Sequence, residues 1–320
     1  MQQARVCELS KDMRFEGFLL VRMSEQRTGS NGGKYLDLTL ADRTGEMNGK
    51  LWDGNVPPPA LGSVIKVRGG TLEYNGRLQL RIEKLRASEA ADEIDMTLLT
   101  PCAPEPPEVM LAEIDEAIAG LQSEPLRRIV STLLAENREK LTYYPAAQRI
   151  HHAERSGLLH HTTGMLRTAK AVLPVYPWLN ADLVICGVIV HDLCKLCELE
   201  SDQLGVVKDY TENGLLLGHI VMGVEHIGAA ARQAGVSGEP VTLLEHMMLS
   251  HHGEEQYGSP RKPMFPEAEV LSEMDLLDSR LYEMFSALEG VQPRGFSERQ
   301  WALDNRQLYN HAFGLVKGGE

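Results

Sequence analysis

Residues 181–200, ADLVICGVIVHDLCKLCELE, decide how this chain is read. Leu183, Val184, Ile185, Val188, Ile189, Val190, Leu193 and Leu196 make the stretch apolar on nearly every side, which predicts a buried helix over 181–199. His191 and Asp192 interrupt that run, and Lys195 follows His191 by one turn. An imidazole and a carboxylate buried without partners are strongly disfavoured. A divalent cation satisfies both at once. A helix-end hydrogen bond for His191 with an Asp192–Lys195 ion pair would also do so, and the dipeptide alone leaves both readings open.

The histidines around this stretch favour the cation. Ten of the 11 histidines lie between His151 and His252, in the groups His151-His152, His160-His161, His191, His219, His226, His246 and His251-His252. Several fall at the ends of predicted helices, where side chains from separate helices converge. The helical periodicity covers about 109–121, 125–139, 161–173, 181–199, 217–234, 240–251, 267–289 and 297–310, with a loop or small hairpin at 202–213. Pro125 stands where a first-turn proline belongs.

The order His161, His191-Asp192, Asp275 resembles the H…HD…D signature of the HD-domain metal-dependent phosphohydrolases. Ser156-Gly157-Leu158-Leu159-His160-His161-Thr162 resembles the segment around that family's first ligand. His191-Asp192-Leu193-Cys194-Lys195 resembles its HDxGK, with Cys194 in place of glycine. Leu217-Gly218-His219-Ile220 and Leu249-Ser250-His251-His252-Gly253 resemble the two further histidine segments of the dinuclear members. Tyr257-Gly258-Ser259-Pro260 follows them as in one subfamily, the YhaM-type 3′→5′ exoribonucleases, which also carry an N-terminal OB-fold. The resemblance covers about 13–86 and 145–285; residues 290–320 have no recognised counterpart.

With that resemblance, His161, His191, Asp192 and Asp275 are expected around one ion. Asp192 would bridge to a second ion held by His219 and His251. Imidazole and carboxylate donors suit Mn, Fe, Co or Zn better than Ca or Mg, and Mn is the first expectation. Such a pair activates water for in-line attack on phosphorus and clamps the phosphate oxygens. Lys195 would neutralise charge building on the phosphate, or else simply pair with a carboxylate. His252 is a ligand, a second-sphere group or a substrate contact. His151, His152, His160, His226 and His246 read as structural or exposed. Cys194 and Cys197 form a CxxC without the second pair a structural zinc needs, and read as packing thiols.

Residues 13–86 read as β. Tyr35-Leu36-Asp37-Leu38-Thr39-Leu40 alternates strictly, and Asn75-Gly76 between alternating runs is a strong hairpin signal. Runs at 15–21, 35–40, up to Trp52, 64–67 and 71–82 suggest a small closed barrel, an OB-fold first and an SH3-like barrel second. Lys34, Tyr35, Lys50, Trp52, Tyr74, Arg77 and Arg81 are its candidate cations and stacking aromatics for a nucleic-acid strand. Ser259 and Arg261, on the Gly/Pro turn after the last histidine pair, are candidate contacts to substrate phosphates.

Charge divides along the same line. The net charge is −13, but residues 1–86 hold 14 Lys and Arg against 10 Asp and Glu, a balance of +4. The rest of the chain carries −17. The domains are therefore expected at 1–86 (barrel), 87–108 (acidic, Pro-rich linker) and 109–320 (all-α HD bundle). The first residues lack an apolar signal core, and no run approaches the ~20 apolar residues of a membrane span. Five scattered cysteines suit a reducing cytoplasm.

The expected activity is metal-dependent 3′→5′ hydrolysis of single-stranded RNA, with DNA as an alternative strand. Two rivals stand beside it. One is an HD phosphodiesterase acting on a small nucleotide or cyclic dinucleotide. The other is a nucleic-acid-binding protein with a silent HD domain. The oligomeric state, including any homo-oligomer, is not readable from the sequence.

Overall fold

The computed structural model describes residues 3–29, 32–89, 91–148 and 151–313. Its contacts divide the chain into two units, Met1–Cys102 and Ala103–Glu320.

In the first unit the alternating runs become β1 (Arg14–Thr28), β2 (Lys34–Asp42), β3 (Gly45–Leu51), β4 (Val64–Tyr74) and β5 (Arg77–Ala87). They close into a barrel in the order β1-β2-β3-β5-β4. β1 pairs antiparallel with both β2 and β4, and β3 closes the circuit by running parallel to β5. This is the five-strand arrangement of an OB-fold. Leu19, Leu36, Leu38, Leu40, Val67 and Leu80 fill the interior and are fully buried. Asn75 and Gly76 both take positive φ, which the two-residue turn between Tyr74 and Arg77 demands.

One difference from the sequence reading lies in β4. The runs at 64–67 and 71–74 belong to a single strand, bent by a bulge between Arg68 and Gly69. A Cβ on Gly69 would stand 2.3 Å from the Arg81 carbonyl oxygen, so only glycine permits the close approach. The acidic segment that follows keeps contact with the barrel at Asp92 and at Leu98–Leu99. Arg86 holds Asp92 with two bonds of 2.7 and 2.6 Å, the Arg43 N–H donates to the Leu98 carbonyl at 2.8 Å, and Leu99 is buried.

The second unit is helical: α1 (Pro107–Ala119), α2 (Glu124–Leu141), α3 (Gly157–Val172), α4 (Ala181–Val190), α5 (Lys195–Glu198), α6 (Glu212–Ala234), α7 (Glu239–Ser250) and α8 (Pro266–Leu288). A hairpin of β6 (Leu199–Ser201) and β7 (Val207–Tyr210) sits between α5 and α6. α4 lies at the centre and packs on α1, α2, α3, α7 and α8, which is why its sequence is apolar all round. Asn180 caps it by accepting from Leu183 N at 3.1 Å. α6 has the length and apolarity to cross a membrane, but half of its apolar window is buried inside the protein.

The expected helix over 181–199 is broken. It stops at Val190, and residues 191–194 turn tightly through bonds from Leu193 N to Val190 O, Lys195 N to Asp192 O and Leu196 N to Leu193 O. These i to i+3 bonds shorten the repeat to three residues. Asp192 and Lys195 therefore stand one above the other. The expected helix over 297–310 is absent. Bridges Phe296↔Tyr309 and Gln300↔Arg306 surround one short turn, Trp301–Leu303, and Asp304 and Asn305 reverse the chain with positive φ. Residues 314–320 lie outside the described part.

Candidate metal centre and nucleic-acid interface

The two buried histidines that matter most sit where helices end. His191 is the C-cap of α4 and His251 the C-cap of α7. A helix end leaves carbonyls without intrahelical partners. Each ring folds back to supply one. His191 Nδ1 donates to Val188 O at 2.9 Å, and His251 Nδ1 donates to Met248 O at 2.8 Å. A carbonyl only accepts, so Nδ1 carries the proton and Nε2 keeps its lone pair, turned inward. The same device recurs at three more rings. His161 Nδ1 bonds Asp278 Oδ2 at 2.8 Å, His219 Nδ1 bonds Glu198 Oε2 at 3.0 Å, and His252 Nδ1 bonds Tyr257 O at 2.8 Å.

The inward atoms converge on Asp192. Its Oδ2 lies 3.6 Å from His161 Nε2 and 3.5 Å from His191 Nε2. Its Oδ1 lies 3.6 Å from His219 Nε2 and 3.9 Å from His251 Nε2. Asp275 Oδ1 completes the first half at 3.3 Å from His161 Nε2. One carboxylate thus faces two separate histidine pairs, one with each oxygen. Asp192 Oδ1, His219 Nε2 and His251 Nε2 are buried and have no hydrogen-bond partner among the described residues. Three acceptor atoms left in that condition would be destabilising unless a cation meets them. The donor set fits a divalent transition metal.

The electrostatics agree. Burial opposes a charge on Asp192, yet Lys195 and the facing imidazoles hold its pKa well below the usual carboxylate range. Burial likewise opposes charge on His161, but bonds to Asp275 and Asp278 raise its pKa to about 10, so a proton on Nε2 takes the place that a cation would fill. The carboxylates therefore reward positive charge at this spot. His191, His251 and His252 are pushed down by burial, which keeps them neutral and able to donate a lone pair.

Local backbone sets these positions. Gly218 has φ 71° and ψ 162° inside α6 and kinks it just before His219. The kink frees His219 N to donate to Glu198 Oε1 at 3.0 Å while its ring reaches Oε2. A residue with a Cβ is strained at that φ. Glu198 and Asp278 were not singled out from the sequence. Asp278 falls one helical turn after Asp275, a spacing that could have exposed it; Glu198 had no such signal.

The remaining expected site residues fall as follows. Lys195 is buried, bonds Asp192 Oδ2 at 2.7 Å and still lines an open cleft of about 670 Å3 with His151, His252, Tyr257, Lys262 and Asp275. His252 joins Asp192, His219 and His251 in one potential ligand group. Ser259, expected at the substrate phosphates, is instead 1% exposed and its Oγ accepts from His252 N at 3.0 Å, which spends the hydroxyl on positioning His252. Arg261 is exposed but is not among the cleft-lining residues; its neighbour Lys262 is. Cys194 is buried and Cys197 half-buried, both as free thiols.

On the barrel, Tyr35, Lys50, Trp52, Tyr74 and Arg81 line a single groove of about 1280 Å3. Tyr35 and Trp52 stack with centroids 4.5 Å apart, and Lys50 Nζ lies 5.2 Å above the Tyr35 ring. Trp52 and Tyr74 remain more than half exposed, free to meet a base. Lys34 opens β2 and Arg77 opens β5; neither lines this groove.

An OB barrel in one unit and a helical HD-type histidine and aspartate centre in the other define the class, a metal-dependent phosphohydrolase with an attached OB-fold. No family model matches the chain. It is 40% identical over 302 residues to the 3′-5′ exoribonuclease YhaM of Geobacillus sp. (strain WCH70), covering 93% of this chain and 92% of that protein. The protein of the same name from Listeria monocytogenes serovar 1/2a is 40% identical over 299 residues, 92% of this chain and 95% of the relative. That from Oceanobacillus iheyensis is 39% identical over 308 residues, 95% and 96%. The second OB-fold domain of replication protein A from Methanococcus maripaludis overlays 29% of this chain and all of its own at 19% identity and TM-score 0.25. The chain belongs to the YhaM family of 3′-5′ exoribonucleases.

Proposed function

We infer that this chain is a metal-dependent 3′→5′ exoribonuclease that hydrolyses single-stranded RNA, releasing nucleoside monophosphates. The observation that carries the reading is Asp192, whose two oxygens each face a pair of imidazole nitrogens. His161, His191, Asp192 and Asp275 would hold one ion; Asp192, His219 and His251 would hold a second. Mn is the first choice, with Fe, Co and Zn as alternatives. The ions would supply Lewis-acid activation of water and of the scissile phosphate.

The chain's own residues do the rest. Water oxygen adds to phosphorus, the P–O3′ bond breaks, and the oxygen leaving on the shortened strand takes a proton. Lys195 keeps Asp192 ionised and presents its ammonium to the cleft, where negative charge grows on the phosphate. His252, fixed by Tyr257 O and Ser259, lines the cleft beside His219 as a substrate contact or further ligand. The barrel groove holds the strand through stacking on Trp52, Tyr35 and Tyr74 and through Lys50 and Arg81. On this reading residues 1–86 bind the strand, 87–108 connect, 109–320 catalyse, and the protein works in the cytoplasm, where its free cysteines stay reduced.

The test is turnover of end-labelled RNA and DNA, long oligomers and dinucleotides, with Mn, Co, Zn and Mg in parallel. Shortening of long RNA from its 3′ end supports the reading. Preference for the dinucleotide would make the protein a small-nucleotide phosphodiesterase, and binding without metal-dependent turnover would make it a silent binder.

A further inference from the structure

A second group of metal-ligand side chains lies in the helical unit behind the centre already described. His152, Glu154 and His160 bring ligand atoms together at the start of α3. His152 Nδ1 faces His160 Nδ1 at 3.2 Å, His160 Nδ1 lies 2.7 Å from Glu154 Oε1, and His152 Nδ1 lies 3.8 Å from the same oxygen. The side chains of His152 and Glu154 are only 3% and 10% exposed, while His160 is open to solvent on one edge at 26%.

The arrangement is that of metal-holding histidines. His152 Nε2 lies 2.8 Å from Asp278 Oδ2, the outer carboxylate that such rings commonly take, and Nδ1 is the nitrogen turned toward His160 and Glu154. His160 Nδ1 and Glu154 Oε1 meet it there. A cation answers all three atoms at once. Zinc stands about 2.0–2.1 Å from nitrogen and 2.0–2.2 Å from carboxylate oxygen, so tetrahedral ligand atoms are about 3.3 Å apart. The three separations scatter about that value.

The surroundings hold the group in place. His152 and Ser156 are both left-handed non-glycine residues, at φ 52° and 63°. The segment keeps that conformation because the His152 carbonyl accepts from Ala146 N at 3.1 Å and Ser156 Oγ donates to Thr142 O at 2.6 Å. The Tyr282 ring covers His152 with centroids 4.0 Å apart. Asp278 Oδ2 is shared between His152 Nε2 and His161 Nδ1, so it joins this group to the first ligand of the main centre.

We propose that His152, Glu154 and His160 form a separate cation site of the zinc class, with two imidazoles, one carboxylate and an open position toward solvent. Bound there, the ion would pin the start of α3, while the bonds of Asp278 to His152 and His161 do not involve Glu154 or His160.

The experiment is metal counting on the full chain, stripped with chelator, reloaded with Zn or Co and passed through a desalting column. Glu154→Gln and His160→Ala should each hold one ion fewer per chain than wild type. Hydrolysis of a short oligonucleotide with Mn should stay within about threefold. The difference is read again in an Asp192→Ala background, which removes the main centre, so failure of the main-centre reading leaves this comparison intact. Co-loaded wild type should also lose part of its visible absorption in both variants. Equal metal counts in wild type and both variants, each folded by circular dichroism, would overturn the proposal.

Discussion

Glu198→Gln separates the two halves of the main centre. Glu198 is 12% exposed on its side chain and accepts from His219 twice, through the backbone N–H at 3.0 Å and the ring Nδ1–H at 3.0 Å. Glutamine keeps the shape but has one acceptor oxygen. With that oxygen under the backbone N–H, it still lies 3.1 Å from Nδ1, but it is uncharged and shared, and the amide NH2 in place of Oε2 sets donor against donor. The ring loses its charged acceptor and is held less firmly with Nε2 aimed at Asp192. A hydrogen bond to a charged group contributes about 1.5–3 kcal/mol when buried. Loss of an outer partner of a metal-bound histidine lowers metal affinity by about 10–100-fold, equivalent to about 1.4–2.7 kcal/mol. Affinity in the His219–His251 half should fall by that amount. The His161–His191 half should hold, because its outer partners are Asp278 and the Val188 carbonyl. The assay is Mn or Zn titration of stripped protein against a chromophoric chelator, with hydrolysis followed at limiting and saturating Mn. Weak activity at limiting Mn and recovery at saturating Mn are expected. Equal weakening of every binding step, or no weakening, would refute the division of Asp192 between two pairs.

Other outcomes follow from the same geometry. Asp192→Asn should abolish hydrolysis, by more than the ~100-fold tied to an outer partner, while strand binding measured by anisotropy stays near wild type. Retained turnover would remove Asp192 from the chemistry. Trp52→Ala should weaken single-strand binding by about 1–3 kcal/mol at any salt, whereas Lys50→Ala or Arg81→Ala should each flatten the logarithmic salt dependence by about 0.7; an unchanged slope would place the strand elsewhere. Asp92 is held below the usual carboxylate range, chiefly by its hydrogen bond from Arg86. That pair stabilises the barrel above the unfolded-chain pKa of about 3.9 and loses its contribution as pH falls below it. Asp92→Asn should therefore unfold at lower temperature than wild type at pH 7 by calorimetry, and the gap should narrow steadily as pH falls below about 3.9 toward the depressed native value; a constant gap would contradict the pair.

Much of the architecture was legible because it rests on periodicity and turn chemistry. The alternation at Tyr35–Leu40 and the Asn75-Gly76 turn define strands and a hairpin whatever the rest of the chain does. An apolar run without a polar face, as in α4, has to become a central helix. The segment after residue 296 was misread as helix because its apolar spacing is helical, while the left-handed pair Asp304-Asn305 and the bridge Gln300↔Arg306 override that spacing.

The site divides the same way. Sequence by itself singled out the six residues that the fold brings together around Asp192, because histidines and aspartates in an apolar context need partners and their order resembled a known signature. It could not say that Asp192 meets one histidine pair with each oxygen, since that depends on the tight turn after Val190 and on the kink at Gly218. Nor could it name Glu198 and Asp278, whose importance lies in proton positions on rings 21 and 117 residues away. It placed Ser259 on a strand-binding turn, whereas folding buries that hydroxyl under the His252 N–H. Residue type and local spacing determine which groups must be satisfied. Only tertiary packing decides which atoms satisfy them, because a hydrogen bond or a metal ligand is set by direction and a few tenths of an ångström, and sequence order carries neither.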